Sequence, residues 1–178
     1  MNAEEPPDDE ALFAAWLDQL TEGPCMDVDF YDTEPGDHDW LRAIHRAHGA
    51  ISAARTREVL EGHRRAAAAR SLVLVLKDLG RTGGPTDPGL EDERVGVPHV
   101  LLGSTALVNL DAVESLCETA DAMQELLATQ RHLVWPLCPS HGFGLHARIV
   151  DGRAQWICAA KEHTVAAIGS LGLGRPRR

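Results

Sequence analysis

The sequence predicts a mainly α-helical protein that ends in a small β hairpin. This is an α+β arrangement in which a helical bundle carries a zinc-ribbon-like module. Three observations predict it. Apolar residues recur at helical spacing in several stretches between residues 10 and 130. Near the C-terminus, the two-residue turn signal Asp151-Gly152 separates two short alternating segments. Around that turn stand two Cys and several His at spacings suited to a structural zinc site. A chain of 178 residues can bury a sizeable core without a covalent clip. A module of roughly 35 residues cannot, and ordinarily needs a metal.

Taken in order, residues 1–36 form an acidic N-terminal arm with one short helix. Asp8 or Asp9 is placed to cap a helix over 10–20, and Leu12, Phe13, Trp16, Leu17 and Leu20 give it an apolar stripe. Residues 21–36, rich in Asp, Gly and Pro, read as a loop. A helical domain is expected over 37–132. Asp37 suits the N-cap of a helix from about 38 to 62, lined by Leu41, Ile44, His48 and Ile51. A second helix, about 63–79, follows, or the two form one helix kinked at Gly62. Gly80 suits its C-terminal cap. Residues 80–99, with five Gly and three Pro, predict a mobile surface loop. Val100-Leu101-Leu102 suits either a strand or a helix start. From 110 to 130 the residues Val113, Leu116, Ala120, Met123 and Leu127 fall at 3-4-3-4 spacing, which predicts one helix of a bundle or a short homodimer seam. Residues 133–174 are the zinc-ribbon-like hairpin.

Charge divides the chain. Its first 41 residues hold 13 acidic side chains and no Lys or Arg; the other 14 acidic residues face all 17 basic ones, leaving the remainder near +3. Residues 42–81 are locally basic and Arg-rich. A formal net charge of −10 disfavours general nucleic-acid binding, which needs a basic footprint. The acidic start offers no basic or apolar leader and the apolar runs are too short to span a membrane, so a cytoplasmic, reducing setting is expected.

The candidate metal ligands follow from hairpin geometry. Centring the hairpin on Asp151-Gly152 places Leu145 opposite Cys158, which brings Cys158 back to the end where Cys138-Pro139-Ser140-His141 lies. Alternation puts Ala154, Trp156 and Cys158 on one face and turns His146 to the other. Cys138, His141 and Cys158 supply three tetrahedral ligands. His163, five residues after Cys158, is the choice for the fourth, with His146 and His132 as the other candidates. With four protein ligands the zinc is structural, and it would contribute folding free energy on the order of 10 kcal/mol. Cys25 and Cys117 read as idle thiols.

The stretch from about 133 to 172 resembles the C-terminal segment of small uncharacterised proteins from high-GC bacteria. The resemblance rests on Trp135-Pro136-Leu137-Cys138-Pro139-Ser140-His141, the Asp151-Gly152 turn, Trp156-Ile157-Cys158 and the run from Val165 to Leu171. It covers under a quarter of the chain. That group often carries a second His shortly after the first knuckle, where this chain has Gly142-Phe143-Gly144-Leu145 before His146. The resemblance implies a ribbon and no activity.

Other chemistry is sparse. His38, His45, His48 and His63 lie near Asp27, Asp29, Asp32, Asp37 and Asp39, but no Glu-x-x-His pair accompanies them as in di-metal bundles. Gly103-Ser104-Thr105 lacks a hydrolase elbow, and the Gly80–Gly84 segment lacks the Walker lysine. The sequence therefore favours a non-enzymatic zinc-binding interaction or regulatory protein with an unidentified protein partner. One alternative is a nucleic-acid-associated factor using the Arg-rich helix 42–81. The other is a metal-dependent hydrolase or isomerase using the His/Asp cluster in 27–63.

Overall fold

A computed structural model describes residues 8–21, 39–85 and 100–172. Among the described residues, four helices, a two-stranded hairpin and a small C-terminal three-stranded antiparallel sheet form an α+β fold, as the sequence predicts. The chain divides into two compact units, Met1–Leu60 and Glu61–Arg178.

In the first unit, α1 (Asp9–Thr21) starts at Asp8, whose carboxylate accepts from the Glu10 N–H and whose carbonyl accepts from the Leu12 N–H. Phe13, Trp16 and Leu20 are buried, while Leu12 faces outward. They pack with Leu41 and Ile44 of α2 (Asp39–His48). The Trp16 indole N–H donates to the Ile51 carbonyl at 2.7 Å.

The helix break falls at Gly49 rather than Gly62. Gly49 has φ +72° and its N–H closes α2 on the His45 carbonyl. Ser52 then opens α3 (Ala53–Arg81), its hydroxyl accepting from the Arg55 N–H. A glycine that can turn left-handed beside a capping serine is a complete stop-and-start signal. Gly62, by contrast, lies exposed within the 29-residue α3 with open space where a side chain would go.

In the second unit, β1 (Val100–Leu102) and β2 (Thr105–Leu107) form a hairpin across Gly103, at φ +63°. Helix α4 (Ala112–Arg131) is capped by the Asp111 carboxylate, which accepts from the Val113 and Glu114 N–H groups. Ala120, Met123 and Leu127 of its predicted stripe are buried in the core of their own chain, with Val113 and Leu116 packed at its edge. Strands β3 (Leu145–Val150), β4 (Arg153–Cys158) and β5 (Thr164–Ala167) lie in the order β3-β4-β5. The β3–β4 register is the one expected, with Leu145 opposite Cys158 and Val150 opposite Arg153. Asp151 and Gly152 take φ +50° and +68°, as a type I′ turn demands. Strand β5 is an addition to the expected hairpin, pairing with β4 across a bulge at Trp156/Ile157.

The apolar sides of α3, α4, β1, β2 and the C-terminal sheet share one core, which includes Val75, Leu79, Leu102, Met123, Leu145 and Trp156. Asp78, fully buried at the end of α3, sits within it. Its carboxylate accepts from the Trp156 indole N–H at 2.8 Å and from the backbone N–H groups of Gly169 and Leu171 at 2.6 and 2.8 Å.

Two outcomes are expected in urea unfolding. Asp78→Ala strands three buried donors and should lower stability by about 3–5 kcal/mol. Gly62→Ala, in an exposed and unobstructed helical position, should raise it by about 0.5–1 kcal/mol.

Candidate metal centre

Two turns of like construction bring Cys138, His141, Cys158 and His163 together. In the first, the Cys138 N–H donates to the Phe143 carbonyl and the Gly142 N–H to the Cys138 carbonyl. In the second, the Cys158 N–H donates to the His163 carbonyl and the Glu162 N–H to the Cys158 carbonyl. Counting from each Cys, the bonds join the same positions. The fourth residue on has positive φ in both turns, Gly142 at +69° and Glu162 at +49°. The histidines differ in place. His141 stands three residues after its Cys, where the second turn has Lys161; His163 stands five after, where the first has Phe143. The Ala159 N–H joins the two turns by donating to the Gly144 carbonyl.

One ligand atom from each of the four side chains lies within 4.8 Å of all the others. The Nδ1 of His141 is 3.5 Å from the Cys138 sulfur and 3.6 Å from that of Cys158, and the His163 Nε2 is 3.9 Å from the Cys138 sulfur. A tetrahedral zinc, with Zn–S near 2.3 Å and Zn–N near 2.0–2.1 Å, separates sulfur from nitrogen by about 3.6 Å. The donor set therefore suits zinc in both chemistry and spacing. Both sulfurs are buried, His163 is half-buried and His141 is exposed, so the group opens to the surface on its imidazole side. The two rings meet edge to face at 5.2 Å.

The surrounding packing fixes the approaches to the first turn. Gln124 of α4 donates through its amide nitrogen to the Trp135 carbonyl at 2.9 Å and the Leu145 carbonyl at 2.6 Å. The Leu145 N–H donates to the Pro136 carbonyl. Trp135 and Trp156 meet edge to face at 5.4 Å. Nothing in the sequence singles out Gln124, a polar residue in an amphipathic helix. Asp78 did leave a trace, because it lies three residues after Val75 on the buried face of α3, where a charge is unusual.

The other candidate ligands lie elsewhere. His146 is exposed opposite Ile157, and His132 caps α4 in a left-handed conformation; neither joins the group. His45 packs against the rings of Phe13 and Trp16. His48 and His63 are exposed. Asp27, Asp29, Asp32, Asp37 and His38 lie outside the described residues, as do Cys25 and most of the expected loop 80–99. Among the described residues no second group of three or more such side chains gathers. Burial, and after it the Asp121 carboxylate, pushes the Cys117 thiol up against the opposing effect of Arg148, which favours the inert protonated form.

Several basic side chains of the Arg-rich stretch are engaged within the chain. Arg42 pairs with Glu10, Arg55 with Glu58, and Arg64 and Arg81 donate to the carbonyls of Val108 and Gly169. No helix among the described residues is long and apolar enough to cross a membrane. Comparison with protein-family models, with curated proteins and with solved structures finds no match to this chain.

Proposed function

We propose that Cys138, His141, Cys158 and His163 hold one structural zinc ion, and that the chain is a non-enzymatic interaction or regulatory protein whose docking surface surrounds the first turn. The observation that carries the metal reading is the spacing of the four donor atoms, close to that of a zinc tetrahedron. Four protein ligands close the coordination sphere, which suits a structural ion and leaves no position for a substrate or an activated water.

The docking reading rests on exposed apolar side chains. Val134, Leu137 and Phe143 are 64%, 51% and 57% exposed. They gather around Gly144, which bridges to Leu137, follows Phe143, and sits where an added Cβ would lie 3.3 Å from Val134. Apolar groups clustered on an otherwise polar surface mark contact sites for other proteins.

Native mass spectrometry of the freshly purified chain should show one zinc per molecule. Cys138→Ser should abolish it and lower the unfolding temperature to that of chelator-treated protein; unchanged metal content and stability would sink the assignment. For the docking surface, a photoreactive residue at position 143 should crosslink a discrete protein species in the host cell, while one at the exposed Arg148 should not. Equal labelling at the two positions would count against it.

A further inference from the structure

One helix end touches all three segments that carry the proposed zinc ligands. Trp135 precedes Cys138 by three residues, and its indole N–H donates to the Thr82 hydroxyl at 2.8 Å. Trp156 precedes Cys158 by two residues on the same strand, and its indole N–H donates to Asp78 at 2.8 Å. Gly169 and Leu171 follow β5, the strand that begins next to His163, and their N–H groups donate to the same Asp78 carboxylate. Asp78 and Thr82 are themselves joined, since the Thr82 hydroxyl donates to the Asp78 carbonyl at 2.8 Å.

We propose that the C-terminal end of α3 and the residue after it form a positioning element of the metal centre, with Asp78 in the helix and Thr82 just beyond it as the positioning residues. This rests on the zinc assignment and extends it. All three ligand-bearing segments are remote from α3 in sequence, and each is tied to this turn two to eight residues from its ligand. The two indoles also brace each other edge to face. A ligand set held this way is preorganised, so the ion finds its donors near their final places. The coupling runs both ways: whatever the turn contributes to zinc affinity, zinc contributes to the order of the turn. Groups that orient metal ligands from outside typically change affinity by about 10–100-fold when removed.

The test uses the full chain, with zinc affinity measured by competition against a chromogenic chelator and unfolding temperature measured in zinc and in excess chelator. Asp78→Asn should weaken zinc binding about 10-fold or more and Thr82→Val about 3-fold or more. Both should shrink the zinc-dependent rise in unfolding temperature and the zinc-dependent change in tryptophan emission. If the variants lose equal stability with and without zinc, and bind it within about twofold of the wild type, Asp78 and Thr82 serve folding alone and the proposal falls. Thr82 is exposed, so Thr82→Val decides the matter should Asp78→Asn fail to fold. A wild-type chain that takes up no zinc would overturn the metal assignment itself, and that result is distinct from a wild type that binds zinc beside variants that bind it equally well.

Discussion

The second unit is organised around a carboxylate that water does not reach. Removing an acidic group from solvent costs several kcal/mol unless hydrogen bonds replace its hydration. Asp78 has three N–H partners, and they come from two separate places: the indole on β4 and the backbone after β5. Burying Asp78 is therefore favourable only when the helix end, the middle strand and the segment leaving the sheet arrive together. The neighbourhood enforces the fit. A Cβ at Gly169 would lie 3.0 Å from Leu74, and Gly169 itself takes φ +90°, so a side chain there would press on α3 and strain the backbone that carries the N–H. An apolar residue at position 78 would pack against many surfaces; a carboxylate accepts one arrangement.

The C-terminal sheet depends on such fastening because it is small. Its strands have six, six and four residues, and β3 buries only two of its side chains and β4 three. Two or three short strands are marginal in water without a packed partner. Here α4 supplies one through the paired bonds of Gln124 and the buried faces of Met123 and Leu127, and the end of α3 supplies another through Asp78 and the following Thr82. The Cys138, His141, Cys158 and His163 cluster lies at the end of the hairpin away from the Asp151-Gly152 turn. The two turns that carry the cluster repeat one hydrogen-bonding plan, yet their histidines leave it at different points. A left-handed fourth residue is natural for Gly142 and costs Glu162 about 1–2 kcal/mol. The second turn thus holds a conformation its own residues do not favour, and its closure is sustained from outside by the Ala159 bond to Gly144 and the pairing of β5.

How much of this was legible in the sequence depended on whether the deciding interaction was local. The β3–β4 register followed from Asp151-Gly152 alone, since a two-residue turn with two positive φ angles fixes every pair behind it. The position of α4 followed from the stripe at 110–130; the capping role of Asp111 is seen in the structure. The break between α2 and α3 was placed at the wrong glycine because composition cannot tell a glycine that ends a helix from one that a helix tolerates; the neighbouring Ser52 was the discriminating residue. Strand β5 was unmarked because Thr164-Val165-Ala166-Ala167 is too short for a period to register. Cys138, His141 and Cys158 were brought together by hairpin arithmetic, and His163 by the length of a turn. The anchoring of that group by Asp78, Thr82 and Gln124 is tertiary, and no local spacing rule reaches across separations of 11 to 93 residues.

The same fastening explains how the first turn presents apolar side chains to solvent. A flexible loop carrying Val134, Leu137 and Phe143 would fold them onto the nearest core, because each buried side chain of that size gains roughly 1.5–3 kcal/mol. In this chain the backbone beneath them is committed. Cys138 is bonded to Phe143, Leu145 to Pro136, and Trp135 to both α3 and α4. With Cys138 turned inward, alternation directs its neighbour Leu137 outward, and the tight turn leaves Phe143 exposed. The chain thus meets the cost of exposed apolar surface with rigidity established elsewhere, and a partner docking there would find it already ordered, with little conformational entropy left to lose on binding.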